Sequence, residues 1–303
     1  MKLPVTYLIP VYGKPLYWRE CLESVTCEPV EEIVVVANGL DDNFSIEIRK
    51  YIESDNRFKY FEKSEANLVK ALNFGVEMSS HNLIARLDID DINIAGRTQL
   101  QFGAMNADPE LLVLGGQVLR FRQNILESKI SKYPSGGKSV RNALKKSCVL
   151  AHPTVLMKRD EVLKIGGYRE FFRHAEDYDL WLRLNEVGKI DNLSVPLIYY
   201  REHENQVSRQ FYDEQEFAAL AAIFASKKRR TRVTDLPLTH EEISKIRARV
   251  LSHRFTIHSS LRRDKKRFVF FLFSFFVSPW SFLTFNARYL KNLKRRSRNY
   301  KKI

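Results

Sequence analysis

Short apolar runs alternate with segments of helical periodicity through the first third of the chain. The apolar runs are rich in β-branched residues and predict buried strands at 5–9, 33–36, 58–61 and 83–87. The segments between them space apolar residues three or four positions apart, which predicts amphipathic helices at 15–27, 43–53 and 68–76. Strands that alternate with helices pair in parallel through right-handed crossovers. The pattern therefore predicts an α/β fold with a Rossmann-like, mostly parallel central sheet flanked by helices.

The middle of the chain continues this alternation less regularly. Helices are predicted at 95–106 and 176–187, and strands near 111–122, 153–157 and 195–200. Beyond about residue 210 the pattern becomes helical and increasingly basic. We therefore expect one large α/β domain over residues 1–210, followed by a helical extension over residues 211–303.

Residues suited to ligand binding stand where predicted strands end. Tyr12 follows the first strand, Asn38 the second, and Asp88 the fourth. In parallel sheets, ligands bind beyond the carboxyl ends of the strands. This edge of the sheet is the first candidate for a functional site.

An acidic cluster, Asp88, Asp90 and Asp91, comes directly after the fourth strand. Carboxylates at this density suit a hard cation such as Mg²⁺ or Mn²⁺ that is shared with substrate phosphates. An acidic turn capping the next helix is the alternative, and on these residues alone it is the better interpretation.

A second acidic cluster, Glu176, Asp177 and Asp179, opens the helix predicted at 176–187. The helix dipole favours an ionised carboxylate there, and such a group can act as a general base on a sugar hydroxyl. Ordinary helix capping explains the same residues equally well.

Two further features are ambiguous by themselves. His203 follows the last predicted strand and could bind a metal, although a lone histidine more often packs or lies at the surface. Gly166 and Gly167 form either a helix cap or a loop that lets a ligand approach closely.

The overall charge narrows the range of partners. The chain has 303 residues, 44% of them hydrophobic, and carries 50 Lys and Arg against 36 Asp and Glu, a formal charge of +14. A basic surface attracts phosphate in nucleic acid, anionic lipid or a diphosphate substrate.

The cysteines and the amino-terminal run bear on the cellular compartment. The three cysteines have no metal-site spacing, and the first apolar run is too short and too interrupted by proline for a signal peptide. We therefore expect reduced thiols and a cytoplasmic protein.

The carboxyl-terminal tail differs from the rest of the sequence. Residues 268–285 are almost wholly apolar and rich in Phe, with basic residues on both sides. The run is borderline for a membrane span, and two basic flanks disfavour a single crossing. A segment lying in the cytoplasmic interface of the membrane, or a shallow hairpin bent at Pro279, fits better, with a buried hydrophobic helix as the alternative.

Taken together, the ordered motifs resemble glycosyltransferase family 2, the inverting nucleotide-sugar transferases of the GT-A fold. The resemblance runs from about residue 5 to about residue 208. Its motifs in chain order are Val-Thr-Tyr-Leu-Ile-Pro-Val-Tyr-Gly, Glu-Ile-Val-Val-Val-Ala-Asn-Gly, Leu-Val-Lys-Ala-Leu-Asn-Phe-Gly, Ile-Ala-Arg-Leu-Asp-Ile-Asp-Asp, His-Pro-Thr-Val, Gly-Gly-Tyr, Ala-Glu-Asp-Tyr-Asp-Leu-Trp-Leu-Arg-Leu and Tyr-Tyr-Arg-Glu-His-Glu-Asn-Gln-Val-Ser. Each is weak alone, and their order makes the combination specific.

The resemblance implies how the donor is held. Tyr12 would pack on the nucleobase, and Lys70 would meet the diphosphate. Asn38 stands where the family usually has an Asp that reads the uracil edge, so base recognition is altered. Asp88 and Asp90 would form the DxD motif that binds Mn²⁺ or Mg²⁺.

The remaining roles are implied in the same way. Gly166 and Gly167 would form the glycine loop beside the donor sugar. Asp177 would be the catalytic base, with Glu176 beside it. His203 would complete the metal and diphosphate site.

The implied reaction is transfer of one sugar from a nucleotide-sugar, with a UDP-sugar as the expected donor, to a lipid-linked saccharide acceptor. Inversion of an α-linked donor would give a β-glycoside. The chain lacks the Gln-x-x-Arg-Trp motif that processive synthases of the family share. The resemblance and the basic tail together suggest bacterial O-antigen, capsule or lipooligosaccharide assembly on an anionic membrane surface, with the enzyme peripheral on the inner face of the plasma membrane.

Other functions fit the sequence less well. A metal-dependent sugar nucleotidyltransferase would carry a longer Gly-rich basic loop after the first strand. A nucleic-acid-binding module would explain the charge, but the sequence has no recognised motif of that kind, so no nucleic-acid partner is expected. An inactive scaffold is disfavoured because both acidic clusters are complete. A dinucleotide oxidoreductase would need Gly-x-Gly-x-x-Gly after the first strand.

Overall fold

The computed structural model of the protein describes residues 2–204, 206, 210–231 and 234–261. The chain divides into two compact units, Met1–Ser226 and Lys227–Ile303. The domain boundary expected near residue 210 stays a prediction.

Strands and helices alternate through the first part of the chain, as the periodicity predicts. In order they are β1 (Leu3–Tyr12), α1 (Trp18–Thr26), β2 (Val30–Asn38), α2 (Asp42–Ile52), β3 (Phe58–Lys63), α3 (Leu68–Met78) and β4 (Leu83–Arg86). Each predicted element is present, and the strands extend by a few residues beyond the predicted bounds at one or both ends, except β4.

The second part of the chain is more irregular. Its elements are β5 (Ile92–Asn93), α4 (Arg97–Ala107), β6 (Leu111–Phe121), β7 (Lys129–Ser131), α5 (Gly137–Leu144), β8 (Leu156–Lys158), α6 (Arg159–Lys164), α7 (Glu176–Val187) and β9 (Lys189–Arg201). The strand expected at 153–157 is partly wrong, because His152–Thr154 form a 3-10 turn before β8. Pro153 has no backbone N–H to give to a strand ladder.

The strands form one sheet in the order β3-β2-β1-β4-β8-β6-β9-β5, with β7 paired to β6. The run β3-β2-β1-β4 is parallel throughout, and β6 and β9 are also parallel. β8 lies antiparallel between β4 and β6, so β4, β6 and β9 all point the same way. The α/β fold class with a mostly parallel sheet flanked by helices is confirmed.

The core explains why β1 and β2 read as continuous apolar runs. Both strands are central and have seven or more buried positions, as expected for a sheet that helices cover on both faces. α3 packs closely on this sheet through Gly75, where a Cβ atom would collide with the Leu8 side chain. Helix α3 is therefore held tightly against β1, and its first turn lies at the edge where β1 and β2 end.

The described part of the second unit is helical. α8 (Tyr212–Arg230) runs into it, and α9 (His240–Leu261) follows. α9 begins with a capping box, in which Thr239 and Glu242 each accept a hydrogen bond from the other's backbone N–H. Within the described ranges, no helix is both long and apolar enough for a membrane crossing. The interfacial segment predicted at 268–285 lies outside the described residues.

Candidate active site

The acidic cluster after β4 is compact. The carboxylates of Asp88, Asp90 and Asp91 each offer an oxygen, and these oxygens lie within 4.8 Å of one another. The turn that gathers them closes with the Asp91 N–H donating to the Asp88 carbonyl, 3.2 Å away. Asp88 and Asp90 are half-buried and Asp91 is buried. Like charges this close repel unless a cation or a proton offsets them.

Arg86, the last residue of β4, lies beneath this cluster. It is 2% exposed and forms an ion pair with Asp88. Its Nε and Nη1 atoms are buried and have no hydrogen-bond partner among the described residues. Burial raises the pKa of Asp88, the Arg86 charge opposes this, and Asp90 adds to it. Arg86 belongs to the motif that contains Asp88 and Asp90, but nothing in the sequence signals its role.

The end of β9 joins the cluster from the other side. The Arg201 backbone N–H donates to Asp91 Oδ1 at 2.9 Å, and Arg201 Nε donates to the Asp90 carbonyl at 3.1 Å. This contact places His203 Nε2 2.8 Å from Asp90 Oδ2. The predicted metal-binding residues Asp88, Asp90 and His203 are thus brought together from chain positions far apart.

These residues fit a divalent cation. Asp91 Oδ2 is buried and has no hydrogen-bond partner among the described residues, and one carboxylate oxygen of Asp91 lies within 4.8 Å of oxygens of Asp88 and Asp90. Carboxylate oxygens with one imidazole suit Mn²⁺ or Mg²⁺ better than a soft metal. Burial, the largest cause, and the charges of Asp90 and Asp88 raise the pKa of Asp91 well above its usual range. A cation at this position would offset the crowded negative charge.

The acidic residues at the start of α7, Glu176, Asp177 and Asp179, lie in two different environments. Asp179 is fully buried and pairs with Arg169 and Arg183, with both Nε atoms 2.9 Å from Oδ2. It is therefore a structural residue. Glu176 and Asp177 have no such cationic partner among the described residues.

Glu176 and Asp177 are carboxyls whose pKa values are raised by burial. Glu176 is buried, its Oε2 has no hydrogen-bond partner in the described part of the chain, and burial raises its pKa to about 7. Burial also raises the pKa of Asp177 to about 6, while the charge of Arg86 lowers it and that of Asp88 raises it. Asp177 Oδ1 accepts from the Tyr178 N–H at 2.7 Å, and the Cys148 thiol lies 3.9 Å from Oδ2. A carboxyl that titrates near neutrality is suited to general base catalysis.

The glycine loop is fixed by contacts that the sequence analysis missed. Gly166 and Gly167 have φ of 84° and 65°, in the left-handed region that favours glycine. A Cβ on Gly167 would collide with Asn73, whose side chain accepts from the Tyr168 N–H at 2.8 Å and donates to the Tyr168 carbonyl at 2.9 Å. Arg183 Nη2 donates to the Gly167 carbonyl at 2.6 Å. Asn73 belongs to one of the family motifs, but its pairing with a loop 95 residues away left no local signal.

The residues predicted to hold the donor lie around the ends of β1 and β2. Tyr12 is 66% exposed, which leaves its ring free to stack. Asn38 is buried, and its Oδ1 accepts from the Asn67 N–H at 2.8 Å. Lys70 lies in the first turn of α3 and forms an exposed ion pair with Glu65 at 2.8 Å. Exposed pairs contribute little, so Lys70 can exchange Glu65 for a phosphate.

The comparison with known families decides among the candidate functions. The model of "Glycosyl transferase family 2" matches residues 6–166. The chain belongs to this family. The resemblance found in the motifs is confirmed, and the protein is a glycosyltransferase.

Two proteins similar to this chain are named as glycosyltransferases. The O-antigen biosynthesis glycosyltransferase WbnJ of Escherichia coli is 36% identical over 203 residues, which are 65% of this chain and 78% of the relative. The UDP-Gal:alpha-D-GlcNAc-diphosphoundecaprenol beta-1,3-galactosyltransferase of Escherichia coli is 27% identical over 216 residues, covering 69% of this chain and 77% of the relative.

Solved structures share the fold at low identity. Staphylococcus aureus TarS 1-349 in complex with UDP-GlcNAc has a TM-score of 0.58 at 14% identity and covers 96% of this chain and 92% of its own. The mannosyltransferase PcManGT from Pyrobaculum calidifontis, in complex with GDP-Man and Mn²⁺, has a TM-score of 0.57 at 15% identity, with coverage of 95% and 88%. At this identity the likeness supports the GT-A fold alone.

Proposed function

We propose that this glycosyltransferase transfers a single sugar from a UDP-sugar to a lipid-linked saccharide, with inversion to a β-glycoside, in surface-polysaccharide biosynthesis. The observation that carries the proposal is the pairing of two acidic sites around Arg86. One site has the composition of a metal centre, and the other holds a carboxyl whose pKa of about 6 suits a base.

The first site would hold the donor. Asp88, Asp90 and His203 would bind Mn²⁺ or Mg²⁺, and the metal would offset charge on the departing nucleoside diphosphate. Tyr12 would stack on the base, and Lys70 would approach the phosphates. Gly166 and Gly167 would let the donor sugar lie close to the backbone.

The second site would activate the acceptor. Asp177 takes the proton from the acceptor hydroxyl as that oxygen attacks the anomeric carbon from the face opposite the leaving group. Glu176, buried beside Asp177, would share the proton that is taken from the acceptor hydroxyl. A single displacement of this kind inverts the anomeric configuration.

The names of relatives and neighbours support the choice of substrates. One relative is named as a UDP-Gal transferase acting on a diphosphoundecaprenol-linked sugar, and one neighbour was solved with UDP-GlcNAc. The net charge of +14 fits an anionic membrane surface as the place of action. The proposal places the enzyme on the cytoplasmic face, with no nucleic-acid partner because the sequence has no recognised motif of that kind.

A donor panel tests this function directly. Purified protein is incubated with UDP-, GDP- and CDP-sugars, with Mn²⁺, Mg²⁺ or a chelator, and with an alkyl diphosphate-linked sugar as acceptor. We expect UDP release and a β-linked product that require the metal. A nucleotidyltransferase would release no UDP from these donors and would instead release pyrophosphate from UTP and a sugar 1-phosphate, which a parallel assay detects. Retention of the α configuration would contradict the single displacement.

A further inference from the structure

The chain around α5 is basic and has no acidic side chain. Residues 128–159 contain eight Lys and Arg and no Asp or Glu, although 36 of the chain's 303 residues are acidic. Within this segment Lys138, Arg141, Lys145 and Lys146 are exposed. No described residue forms an ion pair with any of these four. We call these four residues the basic stripe.

The stripe follows one face of α5. Lys138, Arg141 and Lys145 stand three and four residues apart, so their side chains project on the same side of the helix. Val140 and Leu144 are buried and turn another face of α5 toward the protein. Helical packing therefore directs Lys138, Arg141 and Lys145 outward on one side, and Lys146 follows just after the end of α5.

One end of the stripe adjoins the proposed catalytic base. The Tyr178 hydroxyl donates to the Leu144 carbonyl at 2.6 Å, which ties the end of α5 to the first turn of α7. The Cys148 thiol lies 3.9 Å from Asp177 Oδ2. Lys145 is three residues before Cys148, a span of at most about 11 Å. Lys138 starts about 10 Å farther along the helix, at about 1.5 Å per residue.

We propose that the basic stripe binds the diphosphate of the acceptor while the acceptor's sugar hydroxyl lies at Asp177. This assignment rests on the proposed function and names a site for its second substrate. In the proposed function the diphosphate of the donor occupies the metal site after β4, whereas the cations of the stripe, which have no ion-pair partner among the described residues, would attract a second diphosphate beside Asp177. Lys145 and Lys146 are nearest the base and contact the phosphates, and Lys138 is outermost.

Two acceptors that differ only in charge test the assignment. One carries the accepting sugar on an alkyl diphosphate, and the other carries the same sugar as a neutral alkyl glycoside. In the double variant Lys145→Gln/Lys146→Gln we expect KM for the diphosphate acceptor to rise about tenfold or more. KM for the neutral glycoside and the rate of donor hydrolysis stay unchanged. Lys138→Gln has a smaller effect, and Lys50→Gln, which changes an exposed lysine of α2, has none.

Two results would overturn the assignment. An equal loss with both acceptors would show that the stripe acts on folding or on the donor. An unchanged KM for the diphosphate acceptor, with loss of binding to phosphatidylglycerol vesicles, would assign the stripe to the membrane surface.

A binding measurement separates this proposal from the proposed function. Calorimetry follows binding of the alkyl diphosphate-linked sugar to the full chain and to the double variant. Binding that the double variant loses supports the stripe even if the wild-type protein transfers no sugar, in which case the proposed function alone fails. Binding of equal strength in both proteins refutes the stripe whatever the transfer assay shows.

Discussion

Replacing Asp177 with Asn should abolish transfer and stabilise the protein at the same time. Burial raises the pKa of Asp177 from 3.8 to about 6, so the folded state favours the protonated carboxyl. Between these two values the unfolded chain binds fewer protons than the folded protein, and stability falls as pH rises. At pH 7 the ionised carboxylate therefore destabilises the fold by about 1–3 kcal/mol, at about 1.36 kcal/mol per pKa unit.

The activity has the opposite pH dependence. A base must be ionised, and a group with a pKa of about 6 is about 90% ionised at pH 7. In the wild-type enzyme, kcat/KM should fall about tenfold per pH unit below pH 6. An amide at position 177 cannot accept the proton, so Asp177→Asn should lower kcat by about 100-fold or more while leaving UDP binding intact.

Three assays together test this reasoning. UDP release gives the pH profile, calorimetry gives the affinity for UDP with Mn²⁺, and thermal unfolding at pH 4.5 and pH 7 gives stability. We expect Asp177→Asn to raise Tm at pH 7 by about 2–4 °C per kcal/mol recovered, and by less at pH 4.5. Glu176→Gln removes the neighbouring carboxyl but keeps the base itself, and should keep turnover within about tenfold. Near-normal turnover in Asp177→Asn, or a lower Tm at pH 7, would refute the role of a base whose ionisation costs stability.

Three further substitutions have specific expected outcomes. Asp90→Ala should weaken Mn²⁺-assisted UDP binding at least about tenfold and leave metal-free binding unchanged in calorimetry. Gly167→Ala should lower the free energy of unfolding by about 1–3 kcal/mol, because φ is 65° and the new Cβ meets Asn73. Denaturant unfolding measures this change. The control is Gly103→Ala, where a Cβ meets open space. The side chain at position 38 is expected to contact the nucleobase. Asn38→Asp keeps an oxygen that accepts from the Asn67 N–H, and it should raise the preference for UDP over CDP by about tenfold in competition assays.

The sequence predicts most of the sheet because its signals are local. The strands β1 to β4 are apolar runs bounded by turns, and each can be recognised within a few residues. The beginning of β9 was missed, because Lys189–Asn192 alternates exposed and buried positions over too short a stretch, with Asn192 as a buried polar residue. At Pro153 the sequence predicts a strand that is not formed. The apolar residues that follow suggest a strand, but Pro153 has no N–H for the ladder and lies in a 3-10 turn.

The candidate site is less predictable because it depends on distant contacts. Asp90 and His203 are separated by 113 residues, and only the family resemblance paired them before the structure did. Arg86 had no signal of its own, since a charged residue at a strand end normally faces solvent. Its burial between the two acidic sites follows from the turn after β4 and the start of α7 meeting at the same edge of the sheet.

The different roles of Asp177 and Asp179 also depend on distant contacts that the sequence does not reveal. Both are acidic residues in the first turn of α7, and helix capping explains either one from sequence alone. Helical spacing points Asp179 inward, where Arg183 meets it one turn later, and leaves Asp177 half-buried at the surface. The tertiary contacts of Arg169 and Arg183 thus decide which carboxylate is structural.

Calorimetric titration of UDP into the protein, with and without Mn²⁺ or Mg²⁺, tests the central claim most directly. Asp88, Asp90 and His203 should make UDP binding depend on the metal, with affinity at least about tenfold higher in its presence. Folded protein that binds no nucleoside diphosphate more tightly with either metal would contradict the account.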